Sequence, residues 1–264
     1  GEMKEDLLRQ IEQLPELQTV AVAISCNGQW VTDKDLRAIV EQGDDKAIAI
    51  VSKYYRLVQF RDLFRQALRH LPESIEGRIL YWRGRGRMYV FPEESDVGIE
   101  VSNTADGKSS VKVEFVHKIR TGGWIYRIPS KVVKPFRKRH RGNIEVAVQD
   151  YFSVINKVAE TWKGIVEGLL NRKLTFDDIE SLIKGIRAGK RLKAKIEEVI
   201  AIDWKNRTVE DISYWEACQR IITAITNRKF KSPIHKQRKL DLLAQRILEK
   251  VALEVLEQRL NSQQ

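Results

Sequence analysis

Apolar and polar residues follow two different periods along this chain, and the change comes near residue 142. Before it, short runs alternate between apolar and polar positions, which is typical of strands. After it, apolar residues recur at steps of three and four, which is typical of helices. We therefore predict an α+β fold, with an antiparallel β-meander over about residues 46–133 packed with a helical C-terminal half. The expected regions are 1–142, a mixed α/β region whose antiparallel sheet has basic strands, and 143–264, a helical region packed on that sheet as one domain.

The first part of the chain mixes both patterns. Residues 20–24 (VAVAI) are apolar and predict a strand, and Asn27 and Gly28 after them predict a turn. Residues 32–35 (TDKD) resemble a helix start. Residues 59–71 have helical periodicity and predict a helix. This helix is expected to end before Pro72, because proline cannot continue it.

Four β-rich runs are predicted in the meander, each bounded by Gly, Pro, Asp or Asn. Asp106 and Gly107, between two alternating runs, are a hairpin signal. The predicted runs span residues 78–91, 97–102, 109–119 and 124–128, and the predicted turns are residues 84–86, 92–96, 105–107 and 121–123.

Several helix starts stand out in the C-terminal half. Residues 175–178 (TFDD) form a variant capping box with Asp in the last place, and residues 208–211 (TVED) repeat it. Ser232 followed by Pro233 is expected to open the last helix. One face of that helix is apolar and consists of Leu240, Leu243, Ala244, Ile247, Leu248, Val251 and Val255.

Composition narrows the class of protein. The net charge is +11, with 42% hydrophobic and 31% charged residues, a balance typical of a globular chain. No apolar run is long enough to span a membrane, so no membrane association is expected. The opening GEMKEDLL lacks an apolar core, so we expect no secretory signal. Two cysteines, Cys26 and Cys218, cannot form a disulfide framework, which favours a cytoplasmic protein with both as small core residues.

Most catalytic signatures are missing from the sequence. It has no phosphate-binding loop of the Walker type, no Gly-x-Ser-x-Gly, no His-Glu-x-x-His and no Cys-x-x-Cys. No cofactor is therefore expected, and a non-enzymatic role is favoured. Carboxylates of the β region could still gather a divalent cation, as in a nuclease, although turns are where Asp and Glu are common anyway. These candidates are Glu93, Glu94, Asp96, Glu100, Asp106 and Glu114.

The most informative group of residues is basic and aromatic. Residues 118–141 contain nine Lys or Arg and no acid, interleaved with aromatic side chains. A second acid-free stretch, residues 78–89, carries arginines among Tyr and Trp. Cations neutralise phosphates, and an aromatic ring can stack on an unpaired base for about 1–3 kcal/mol. The glycines at Gly84 and Gly86 are expected to let a backbone approach closely. The predicted binding residues are Arg83, Arg85, Arg87, Arg120, Trp124, Tyr126, Arg127, Lys131, Lys134, Arg137, Lys138, Arg139 and Arg141.

Three segments resemble a phage- and plasmid-related family that is catalogued as a domain of unknown function. They are residues 49–58 (AIVSKYYRLV), 98–107 (GIEVSNTADG) and 137–144 (RKRHRGNI). The resemblance covers roughly residues 46–250 and departs at residues 121–123 (TGG), where relatives carry a Cys-x-Asn-type segment. It implies a mobile-element setting but no mechanism. The outline of a β-meander with helices and a basic, aromatic strand region is also similar to Rad52-type strand-annealing proteins.

The leading hypothesis is a nucleic-acid-binding protein of a mobile element, acting in replication, recombination or strand annealing. Single-stranded DNA is the favoured partner, with RNA as the other nucleic acid. The cations would follow phosphates, and Trp124 and Tyr126 would stack on bases. The amphipathic C-terminal helix offers a surface for homo-oligomers. Two alternatives remain open: a metal-dependent nuclease, and a protein-interaction module that binds an acidic host protein.

Overall fold

The computed structural model of the chain describes residues 2–119, 123–138 and 142–264. Within these ranges the fold is α+β, as predicted. The helices are α1 (Glu2–Glu12), α2 (Phe60–Leu68), α3 (Ser130–Val133), α4 (Ile144–Ser153), α5 (Ile155–Asn171), α6 (Phe176–Gly185), α7 (Lys190–Val199), α8 (Tyr214–Thr226) and α9 (Pro233–Ser262), with a 3₁₀ turn at Lys134–Phe136. The strands are β1 (Leu17–Cys26), β2 (Gln29–Glu41), β3 (Ala49–Ser52), β4 (Ile75–Trp82), β5 (Arg85–Pro92), β6 (Val97–Thr104), β7 (Lys112–Ile119), β8 (Trp124–Arg127), β9 (Ile202–Asp203) and β10 (Thr208–Val209).

The chain divides into two compact units. Unit 1 comprises residues 1–114 and 138–153, and unit 2 comprises residues 115–137 and 154–264. No helix in the described parts of either unit combines the length and the apolar character that crossing a membrane requires.

A three-stranded antiparallel sheet, in the order β1-β2-β3, opens unit 1. Asn27 and Gly28, both at positive φ, join β1 to β2 in the predicted turn. The predicted helix start at residues 32–35 is wrong, because these residues lie inside β2. The Asp33 carboxylate does accept the N–H groups of Asp35 and Leu36, as an N-cap would. Here, however, it organises a local irregularity of the strand and opens no helix.

The meander of unit 1 is formed by β4, β5 and β6, which pair antiparallel in sequence order. It is followed in the strand order by β7, whose residues 112–114 belong to the same unit. Asp106 and Gly107 lie between β6 and β7, in a loop of residues 105–111. Helices α1 and α2 pack together, with α1 against β4 and α2 against β6. The core of unit 1 forms there, from residues that include the fully buried Leu7, Phe64, Val90 and Ile99.

Unit 2 is built mainly from helices. The rest of β7 pairs with β8, and α9 packs against β8, α3, α5 and α8. All seven residues of the predicted apolar face of α9 are buried. The capping box of residues 175–178 is confirmed: Thr175 Oγ1 accepts the Asp178 N–H, and the Asp178 carboxylate accepts the Thr175 N–H.

Two further predictions are wrong. Residues 208–211 do not open a helix, because Thr208 begins β10 and the N-cap of α8 is Ser213. Cys218 is buried as predicted, but Cys26 is exposed at the end of β1, since the hairpin there has no covering layer among the described residues.

Candidate nucleic-acid interface

The β4–β5 turn places two of the predicted arginines in unit 1. Trp82 pairs with Arg85, and the two residues between them, Arg83 and Gly84, have φ of +41° and +77°. Positive φ at both positions defines the type I′ turn that tight hairpins favour. The Arg83 guanidinium carbon lies 5.7 Å from the centre of a Trp82 ring, and Arg85 is half-buried. The turn therefore presents cations beside an indole.

The glycines of this turn serve the fold of the protein. A Cβ added at Gly84 would lie 2.7 Å from the Ile48 side chain, and one at Gly86 would lie 2.6 Å from the Phe60 ring. The side chains of Ile48 and Phe60 therefore make the close approach to these two glycines. This corrects the expectation that a bound backbone would use that space.

Arg87 lies inside unit 1. Its side chain is buried, and Nη1 lies 3.3 Å from Glu100 Oε2 and 3.4 Å from the Tyr89 hydroxyl. Glu100 is completely buried. A buried carboxylate requires a charged partner, so we assign Arg87 to the interior of unit 1 and not to the candidate interface.

Tyr126 belongs to an aromatic cluster in the core of unit 2. Its hydroxyl forms a 2.7 Å hydrogen bond with His117 Nδ1, and its ring meets those of His117 and Trp162 edge to face. Burial raises the pKa of Tyr126 well above its ordinary value, so the phenol stays neutral. With 3% of its surface exposed, the ring has no face open to a base, and we assign it to packing.

Two cations are held by carboxylates of α9. Arg127 Nε lies 3.9 Å from Asp241 Oδ2, and the Arg127 backbone N–H donates to Asp241 Oδ1. Lys131 Nζ lies 3.7 Å from Glu249 Oε1, yet 69% of the lysine side chain remains exposed. The Glu249 side chain is only 16% exposed, but the lysine end of this long pair lies in solvent. Lys131 therefore remains accessible to an anion.

The remaining described cations follow in the chain. Lys134 and Lys138 are exposed, Arg137 is half-buried, and Trp124 is half-buried at the start of β8. We name residues 123–138 the basic segment; it contains five Lys or Arg and no acid. Residues 123–137 belong to unit 2, and Lys138 begins the returning part of unit 1. The predicted Arg120, Arg139 and Arg141 lie outside the described residues.

A second group of cations in unit 2 is missing from the prediction. It consists of Arg228, just after α8, and Lys239 and Arg246 on α9. Burial lowers the pKa of Lys239, and the charges of Arg228 and Arg246 lower it further, so the three cations influence one another. The seven-residue spacing of Lys239 and Arg246 places them on one helix face, a signal that the sequence contains. Only the tertiary structure brings Arg228 to them.

The carboxylates proposed for a nuclease are not brought together. Nowhere in residues 2–119, 123–138 and 142–264 do three or more potential metal ligands converge. Asp106 instead accepts the N–H groups of Lys108 and Ser109 and the Ser109 hydroxyl, at 2.7–2.9 Å. Slight burial opposes ionisation of Asp106, but these hydrogen bonds outweigh it and lower its pKa. The structure gives Asp106 a role in holding its loop.

No family model, curated protein or solved structure matches this chain.

Proposed function

We propose that this protein binds nucleic acid through the basic segment, with single-stranded DNA as the preferred partner and no catalytic step. One observation carries the proposal: five cations and no acid lie within residues 123–138, and all three lysines among these cations are exposed. Electrostatic attraction of this kind is independent of base sequence. We therefore propose binding that follows phosphates and tolerates any sequence.

The two kinds of side chain have different tasks in this proposal. Lys131, Lys134 and Lys138 neutralise phosphates, because exposed lysines can follow a backbone of variable path. The half-buried Trp124 offers an indole edge or face to an unpaired base, a contact worth about 1–3 kcal/mol in other proteins. An unpaired base is accessible only in single strands, and this supports the preference for them.

A role in replication, recombination or strand annealing of a mobile element is the biological part of the proposal. Its support is the resemblance of residues 49–58, 98–107 and 137–144 to the phage- and plasmid-related family. The affinities for DNA and RNA oligonucleotides of the same sequence, measured in one binding assay, show which of the two nucleic acids the protein prefers.

The salt dependence of binding tests the proposal. Three phosphate contacts on a single strand, one for each lysine, predict a slope of about −2 in a plot of log affinity against log salt concentration. The double variant Lys131→Gln/Lys134→Gln should bind more weakly on every sequence, with a slope less steep by about 1.4. Fluorescence anisotropy of labelled single- and double-stranded oligonucleotides measures both.

A matched control removes the same charge elsewhere in unit 2. Lys157 and Lys163 are exposed on α5, and the double variant Lys157→Gln/Lys163→Gln should retain the wild-type slope. An equal loss of affinity in both double variants would show that net charge alone drives binding. Undetectable or salt-independent binding by the wild type would reject the proposal.

A further inference from the structure

The β1–β2 hairpin extends beyond the rest of its sheet. β3 pairs only with residues 36–39 of β2, so the hairpin from there to its turn has two strands. Every residue of β1 after Leu17 is exposed or half-buried. Apolar side chains stand open there: Ile24 is 50% exposed, Val31 54% and Trp30 76%. A two-stranded ribbon of this kind is marginally stable in water on its own.

The outer edge of β1 has no strand neighbour among the described residues, because β1 is the first strand in the order β1-β2-β3. One position of this edge is covered: the Leu17 N–H donates to Gln59 Oε1 at 2.9 Å, and the Leu17 carbonyl accepts from Gln59 Nε2 at 2.7 Å. The backbone groups of Leu17 therefore point outward. Since alternate residues of a strand point the same way, the N–H and carbonyl groups of Thr19, Ala21, Ala23 and Ser25 point outward too.

The alternation along β1 is continuous. The irregularity of the β1–β2 pairing falls between the pairs Ala21–Arg37 and Ala23–Thr32. Across it, β1 contributes one residue, Val22, and β2 contributes residues 33–36. The extra residues thus lie on β2, and the outer edge of β1 stays regular.

This edge lacks the usual protection against pairing. Natural edge strands carry Lys, Pro or other charges that keep other chains away. Residues 17–26 (LQTVAVAISC) contain no charged residue, no proline and no glycine. An uncharged edge offers no counter-charge to a polyanion or to an acidic peptide. Its partner must be another apolar strand.

The sequence of the edge matches its own reverse. Residues 19–25 (TVAVAIS) place Thr opposite Ser, Val opposite Ile and Ala opposite Ala about a centre at Val22. Antiparallel pairing of two copies of one strand has a two-fold axis, and it brings together these residues.

We propose that β1 is a self-association surface, on which two copies of the chain pair antiparallel about Val22. Thr19 then faces Ser25 of the second copy, and Ala21 faces Ala23. The two-fold axis repeats each of these pairs, which gives four pairs in all. They use the outward N–H and carbonyl groups of all four residues on each copy. Val22 meets the second Val22, and Val20 meets Ile24, so the apolar residues of one face are covered together. This inference does not depend on nucleic-acid binding.

Disulfide formation tests the register. In this pairing the two Val22 residues form a non-hydrogen-bonded pair, with Cα atoms about 4.5 Å apart, which is within the range of a disulfide. Val22→Cys, made with Cys26→Ser, should therefore yield a disulfide-linked dimer under mild oxidation of nuclease-treated protein. Ala21→Cys in the same background should not form this disulfide. The two residues at position 21 are diagonal neighbours in this register, with Cα atoms about 7–8 Å apart, which is too far for a disulfide. Absence of the Val22→Cys dimer, or equal dimer from both variants, overturns the proposal.

Sedimentation velocity provides the second test without any cross-link. Val22→Lys places two like charges opposite each other and should weaken the wild-type dimer by at least about tenfold. An equimolar mixture of Val22→Lys with Val22→Glu should restore dimers, and a misfolded variant could not do this. Val31→Lys adds the same charge on β2 and should leave the dimer intact. Wild-type protein that is monomeric at its highest soluble concentration, or equal effects of both lysine variants, contradicts the inference.

Discussion

Residues of the same chemical class, basic or aromatic, have different roles in one strand, depending on what covers them. Arg85 and Arg87 lie two positions apart in β5, yet Arg85 is half-buried and Arg87 is buried against Glu100. Tyr126 and Trp124 differ in the same way in β8. A count of basic and aromatic residues treats the members of each pair alike, whereas burial separates them.

The buried pair leads to a prediction about stability. Arg87→Met should lower the free energy of unfolding by about 3–5 kcal/mol, because it leaves the Glu100 carboxylate buried without its guanidinium. Arg85→Met removes the same charge from a half-buried site and should change stability by less than about 0.5 kcal/mol. Urea denaturation followed by circular dichroism compares the two variants. Similar losses in both would show that Glu100 does not depend on Arg87.

Helix starts show how far local sequence determines an element. Thr175, Ser213 and Ser232 are N-caps whose side chains accept an N–H group three residues later. Thr208 has the same local pattern but lies in the short strand β10, paired with Asp203. A capping pattern opens a helix only where the residues that follow it can pack against the rest of the protein as a helix.

This difference can be measured at the level of the element. Ser213→Ala should destabilise unit 2 by about 1 kcal/mol, because an N–H group at the start of α8 loses its acceptor. Thr208→Ala should have an effect within about 0.5 kcal/mol, since no helix begins there. The denaturation midpoints of the two variants provide the comparison. A larger loss for Thr208→Ala would assign it a capping role after all.

The charge of the whole molecule is unevenly distributed. Of the net +11, residues 118–141 contribute +9, which leaves +2 for the rest of the chain. Even so, Arg228, Lys239 and Arg246 form a local positive group within the nearly balanced remainder. Residues 228–240 contain six Lys or Arg and no acid, so the sequence itself already shows this second cationic area, and the fold brings Arg228 close to Lys239.

The second cationic area leads to a prediction that depends on pH. The pKa of Lys239 is lower in the folded chain than its ordinary value of 10.5. Its charged form is therefore unfavourable to folding. The cost is present in full below the folded pKa, decreases as pH rises from that pKa toward 10.5, and is gone above 10.5. Lys239→Met should raise the melting temperature at pH 7 by about 1–3 °C, and the gain should shrink toward pH 10.

An exposed lysine of the same helix provides the control. Lys250→Met replaces a side chain on α9 that is exposed, and its melting temperature should follow that of the wild type across the pH range. Differential scanning fluorimetry from pH 6 to about pH 10 compares the variants. A Lys239→Met gain that does not change with pH would arise from added apolar packing instead.

The sequence by itself determined the features that depend on neighbouring residues. The α+β class, the meander strands, the Asn27-Gly28 turn, the capping box at Thr175 and the apolar face of α9 all follow from period and local hydrogen bonding. The concentration of positive charge in the basic segment is also a property of the sequence alone.

Only the tertiary structure decided which side chains are covered and which residues meet. Arg87 is buried against Glu100 of the neighbouring strand β6, and Tyr126 is buried against Trp162, which comes from a distant part of the chain. Residues 32–35 lie inside β2 because β1 pairs with β2 on both sides of them, at residues 29–32 and 37–41. Cys26 is exposed at the end of β1, where the described residues provide no covering layer. Burial is a sum over many distant contacts, whereas propensity depends on a few adjacent residues. The residues of the site, unlike the class of the fold, are therefore determined by the folded chain.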